Sequence, residues 1–143
     1  MINIFTAENL EGRIDVAGAL ASGETAMYIY DVGPGEEQSP YHYEYTEEWL
    51  LVVDGTVVLR DPDGERTLER GDLVCFESGP GGAHQIINRS GSPARTLLFS
   101  GSQEPFVAVY PDSNTIGVWP GNEVDEFYFR RDSAVTRAEV EES

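Results

Sequence analysis

Residues 40–49 read PYHYEYTEEW, and they hold the chain's most reactive side-chain pattern. Along an extended strand successive side chains alternate, so His42 and Glu44 leave one face while Tyr41, Tyr43 and Tyr45 leave the other. Glu48 precedes the apolar run 49–53 (WLLVV), and alternation there gives it the same face as Leu50 and Val52. A carboxylate turned toward a core is costly without a partner, and a cation is a natural one. Alternation also selects Glu48 over its neighbour Glu47. His84, the second of only two histidines, follows a glycine-rich loop and opens the segment HQIIN. His42, Glu44, Glu48 and His84 therefore form one candidate donor set for metal. Two imidazoles and two carboxylates suit divalent iron, manganese, nickel or zinc. Two ionised carboxylates neutralise such an ion, and the set leaves coordination positions open for water or substrate. The chemistry expected is Lewis-acid catalysis, or dioxygen binding if the metal is iron. Glu44 or Glu48 is also positioned to act as a general base.

Other chemistry is excluded by what is missing. The 9 basic residues are all arginine, so no lysine is available for a Schiff base. Cys75 is the single cysteine, which forbids an internal disulfide and fits a reducing compartment. No basic neighbour in sequence activates it, and it is expected as a small buried residue on a strand. Against the 9 arginines stand 26 acidic residues, giving a formal charge of −17. That balance opposes nucleic acid, whose phosphate backbone needs a basic surface, and it opposes anionic lipid. It also disfavours large sugar phosphates mildly. No apolar stretch approaches the ~20 residues of a membrane span. The N-terminal residues contain neither a basic nor an apolar leader region, and the expected location is the cytoplasm.

The elements that must position the donors read as all-β. Short runs rich in Val, Ile, Leu, Tyr and Phe recur between Gly, Pro, Asp and Ser, with no long 3.6-residue apolar period. Strands are expected at 25–32, 49–53, 56–60, 73–76, 84–88, 94–100 and 106–110. Asp54-Gly55 between two apolar runs is a hairpin signal, and the DPDG of residues 61–64 is a second turn. The length of 143 residues fits one domain. Its barrel core is placed at about 25–110, with an N-terminal arm over 1–24 and a C-terminal extension over 111–143. Within the extension, residues 126–130 (EFYFR) are expected to pack on the barrel or on a partner subunit, and the charged end beyond them to be frayed. Asn88 is expected to close a turn, Gly55, Gly71 and Gly81 to serve the backbone, and the tyrosine stripe to pack.

These residues resemble the two motifs of the cupin superfamily of double-stranded β-helix (jelly-roll) barrels. Gly35, His42, Glu44, Glu48 and Gly55 match the first motif, with three residues between the two glutamates and six before the glycine. Gly71, the 79–82 loop, His84 and Asn88 match the second. Two departures stand out: Glu44 replaces the second histidine of the first motif, and the loop before His84 is about two residues longer with its proline displaced. The resemblance spans about residues 25–110 and implies a divalent metal and a small-molecule substrate. Dioxygenase, isomerase and lyase chemistry all occur in similar cupins, as do barrels that bind a small molecule or metal without turnover. It further implies a homodimer formed through edge strands and terminal arms, for which residues 1–23 and 126–130 offer apolar material.

Overall fold

The computed structural model describes residues 1–9, 11–121 and 125–143. Its described residues form twelve strands: β1 (Arg13–Asp15), β2 (Thr25–Val32), β3 (Tyr43–Glu44), β4 (Glu48–Asp54), β5 (Thr56–Asp61), β6 (Gly64–Glu69), β7 (Leu73–Phe76), β8 (Gln85–Ile87), β9 (Ala94–Gly101), β10 (Phe106–Tyr110), β11 (Thr115–Trp119) and β12 (Phe127–Arg130). Helix is confined to α1 (Val16–Ala19), α2 (Arg137–Glu142) and single 3₁₀ turns. The strands pair antiparallel in the orders β1-β2-β9-β4-β7, β12-β11-β10-β3 and β6-β5-β8. Two isolated bridges follow: Glu37 with Ile87 attaches the loop before β3 to β8, and His42 with His84 joins the residues immediately preceding β3 and β8. The result is a jelly-roll β-barrel.

Alternation decides what lies inside. On β4 Glu48, Leu50 and Val52 are buried while Trp49 and Leu51 are only half-buried. Leu50 and Val52 join Val57, Leu59, Leu68, Phe76, Ile86 and Ala94 in the main core. Burying each large aliphatic side chain contributes roughly 1.5–3 kcal/mol. On β2 the alternation has a second use. Ile29 is fully buried on one face, while Tyr28 and Tyr30 on the other line a cavity.

The structure departs from the sequence reading in three places. Asp54-Gly55 is not a hairpin: β4 pairs with β9 and β7, whereas β5 pairs with β6 and β8. The dipeptide is a corner at which the chain leaves one sheet for another. Gly55 has a φ of +78°, and a Cβ there would lie 2.9 Å from both Ala94 Cα and the Pro93 carbonyl oxygen. The second turn does close a hairpin, β5 with β6, in register Asp61 to Gly64. Cys75 is exposed and unpaired rather than buried. It lies on β7, the edge of its sheet, where Val74 and Phe76 take the inward positions and Leu73 shares its exposure. Lastly, β-structure continues beyond Tyr110. β11 pairs with β10 along its whole length, and β12, formed from the EFYFR segment, pairs with β11.

The N-terminal segment supplies an edge strand. β1 pairs with β2, and the Asp15 carboxylate then caps α1 by accepting from the Gly18 amide at 2.8 Å.

Candidate metal centre

His42 and His84 face each other across a reciprocal backbone bridge. The His42 amide donates to the His84 carbonyl at 3.1 Å, and the His84 amide donates back at 2.8 Å. Their rings lie 4.7 Å apart, centroid to centroid. Each Nδ1 sits 2.9 Å from a backbone carbonyl, Pro40 for His42 and Gly82 for His84. A carbonyl oxygen only accepts, so each Nδ1 carries the hydrogen and each neutral ring has a bare Nε2. Outer partners of this kind fix the tautomer and orientation of metal-binding histidines. Phe76 stacks on the His84 ring at 3.7 Å and fixes its plane further.

Both bare nitrogens point at carboxylates. His84 Nε2 is 3.4 Å from Glu48 Oε2, and His42 Nε2 is 3.5 Å from Glu44 Oε1. A lone pair facing a carboxylate oxygen is unfavourable unless a proton or a cation lies between them. Ligand atoms of His42, Glu48 and His84 all fall within 4.8 Å of one another, and all three residues are buried. With metal–ligand bonds of about 2.1 Å, neighbouring ligand atoms stand roughly 3.0–3.4 Å apart. The donor chemistry thus fits a divalent transition metal, which would draw the three ligand atoms closer together.

Glu44 is buried beside this triple without belonging to it, and it packs against His42. All four sequence-predicted residues line the same cavity. Glu47, the rejected alternative, is exposed and accepts a hydrogen bond from Trp49 Nε1 at 2.8 Å. Asn88 contributes nothing to the cavity. It is fully buried, donates to the Val32 and Ser92 carbonyls, and accepts from Ser90, closing the turn before β9.

Burial sets the protonation equilibria. Glu48 is raised to about 8, first by burial and then by the neighbouring Glu44 charge, with His42 opposing. His84 is lowered to about 4 by burial, then by the charge of His42. Burial works most strongly to lower His42, but in the imidazolium form Nε2 also carries a proton and donates to Glu44, and this, the Pro40 carbonyl and the Glu48 and Glu44 charges together leave it raised; the bare Nε2 belongs to the neutral, metal-binding form.

The cavity has a volume of about 590 Å³. Much of its wall is aromatic: Tyr28 and Tyr30 from β2, Phe106 and Tyr110 from β10, Trp119 from β11 and Tyr128 from β12. Gly117 makes the Trp119–Tyr128 wall possible, since a Cβ there would meet both rings, at 2.5 Å and 2.8 Å. Those rings pack edge to face with centroids 5.3 Å apart. The sequence reading missed Trp119, Tyr128 and Arg13, which also lines the cavity. The signal for Trp119 was present in TIGVW, a short β-prone run following the PDSN turn.

A jelly-roll barrel with a buried His/Glu cluster at one end of an internal cavity defines a class of metal-capable small-molecule barrels. Within that class the chain belongs to the cupin family, whose domain profile matches residues 28–100. Among solved structures it resembles a cupin-superfamily sugar phosphate isomerase from Silicibacter pomeroyi, at 25% identity and a TM-score of 0.78, covering 91% of this chain and 83% of the other. The fold is also shared with the polyketide cyclase RemF of Streptomyces resistomycificus, at 17% identity and a TM-score of 0.57, covering 66% and 67% of the two chains. Among curated proteins it is 27% identical over 78 residues to the tetracenomycin polyketide synthase protein TcmJ of Streptomyces glaucescens, 53% of this chain and 51% of that one. The chain thus spans about half the length of that relative. Among the described residues no helix is long and apolar enough to cross a membrane.

Proposed function

We propose that this cupin is an isomerase-type enzyme that moves a proton within a small hydroxy-carbonyl compound at a divalent metal. The observation that carries the reading is the pair of bare imidazole nitrogens turned with Glu48 into one cavity. His42, Glu48 and His84 would hold the ion. Bound there, it would supply Lewis-acid polarisation of the substrate's oxygens. Glu44 remains for proton transfer: its carboxylate takes the proton from the hydroxyl-bearing carbon beside the carbonyl and returns it to the carbonyl carbon, while the hydroxyl proton passes to the former carbonyl oxygen. The substitution of glutamate for the family's second histidine then has a chemical purpose. The aromatic walls exclude water from the reacting atoms. Similarity to a sugar phosphate isomerase at 25% identity supports this choice over dioxygenase or lyase chemistry.

The cellular setting belongs to the same reading. An exposed, unpaired Cys75 suits the reducing cytoplasm. β12 is an edge strand whose Phe127 and Phe129 are half-exposed, which suits a homodimer interface. The charge of −17 suits a protein that leaves nucleic acid alone.

The test is metal analysis of protein purified without chelators and reconstituted with iron, manganese, nickel or zinc. About one equivalent is expected, and less than about 0.2 equivalents of every metal overturns the proposal. With metal bound, hydroxy-ketones incubated in D₂O should gain deuterium at carbon. The Glu44→Gln variant should lose that exchange while still binding metal.

A further inference from the structure

Arg13 is the one arginine among the described residues that line the cavity. Arg60, Arg66, Arg89, Arg95 and Arg137 each pair with a carboxylate. Arg13, like Arg70, Arg130 and Arg131, forms no ion pair with a carboxylate among the described residues, in a chain where acids outnumber arginines 26 to 9. Its guanidinium instead lies over the Tyr28 ring, 5.0 Å from the centroid. The backbone register places it directly opposite Tyr30. The Tyr28 ring and the Tyr30 hydroxyl, to which Arg13 hydrogen-bonds, thus hold the charge in place, and a guanidinium with five N–H groups keeps further donors for a ligand.

Its position relative to the metal centre follows from the sheet. Ala26, Tyr28 and Tyr30 form the cavity-facing row of β2. Ala26 aligns through Ser100 of β9 with Glu48 of β4. Arg13 leans over Tyr28, one same-face step away, or roughly 7 Å along the strand. Arg13 and Glu48 therefore face the same cavity from one face of the sheet, separated by the width of β2 and β9, and Arg13 is the one arginine among the described lining residues.

We propose that Arg13 is the specificity-determining anchor for an oxyanion, phosphate or carboxylate, carried by the substrate at the end remote from the metal. The inference rests on the small-molecule reading of the cavity and narrows its substrate class. One arginine matches one oxyanion through a forked pair of hydrogen bonds. The acidic surface disfavours larger polyanions, so the ligand is a small molecule with a single such group. β1 precedes the family match at residues 28–100, so this selectivity is a property of the N-terminal edge strand rather than of the shared barrel.

Calorimetry with two matched probe pairs tests the proposal: dihydroxyacetone phosphate against dihydroxyacetone, and salicylate against phenol. Wild type and Arg13→Gln are compared in metal-loaded and metal-free forms, with circular dichroism confirming the fold. In at least one pair the anionic member should bind wild type about ten- to a hundredfold tighter than its neutral analogue. Arg13→Gln should lose that preference while its metal stoichiometry stays unchanged. Which pair responds distinguishes phosphate from carboxylate. Equal affinities within both pairs, no binding of either anionic probe, or a preference retained by Arg13→Gln overturns the proposal. Failure of the metal reading would appear separately, as missing metal uptake in both proteins.

Discussion

His84 and Glu48 share one contact, but burial drives them to opposite protonation states. With His84 lowered to about 4, the ring is neutral at physiological pH and ready to donate its Nε2 lone pair. Glu48, raised to about 8, holds a proton there that a metal must displace. Metal affinity should therefore rise with pH toward and through about 8, with proton release on binding, as titration in weakly buffered solution would record. The same shift acts on the metal-free fold. A carboxyl raised above its unfolded value stabilises the protein fully below about 4.5 and loses that contribution as pH climbs to about 8. The melting temperature of metal-free protein should fall between about pH 6.5 and 8, above the range in which His84 opposes the effect, and Glu48→Gln should flatten the decline. His84 has the opposite sign: its lowered pKa removes stability as pH drops from about 6.5 to about 4. His84→Ala should abolish metal uptake, and full retention in that variant would show the ligand set to be wrong. That these residues line one cavity was legible in the sequence because strand alternation is a local rule. His42, Glu44 and Glu48 needed only a period of two to share a face. Arg13 was not legible, because its place in the cavity depends on β1 pairing with a strand more than ten residues away.

At the scale of elements, the strands 25–32, 73–76 and 106–110 were readable to their ends because turn residues bound them on both sides. The Asp54-Gly55 corner was not, since a tight turn and a sheet-crossing corner require the same backbone freedom. Sheet membership is decided by distant partners: Arg95 opposite Asp54, and Ile86 opposite Leu59. A branched residue at Gly55 would carry both the left-handed backbone and the clash with Ala94, so Gly55→Val should cost about 2–4 kcal/mol in chemical denaturation. Asn88 holds β2 to the turn before β9 through the Val32 and Ser92 carbonyls. Asn88→Ala should lower stability by about 2–4 kcal/mol while leaving metal stoichiometry at its wild-type value, because the residue lies off the cavity. Cys75 was misplaced for a related reason. Its alternation within LVCF was clear, but only the sheet order reveals that β7 is an edge.

At the scale of the molecule, the sheet β12-β11-β10-β3 presents Trp119 and Tyr128 to the cavity and Phe127 and Phe129 to solvent. If that outer face joins two subunits, the double variant Phe127→Glu, Phe129→Glu should sediment as a monomer at micromolar concentration while wild type sediments as a dimer. A wild-type monomer would refute the pairing. The histidine bridge has a consequence of another kind. It joins the residues immediately preceding β3 and β8 by only two amide hydrogen bonds, so a metal on those imidazoles acts as a rivet across a short seam. Loading the ion should slow deuterium uptake at the amides of residues 42 and 84 more than anywhere in β2 or β9, making the barrel's local breathing a gauge of its occupancy.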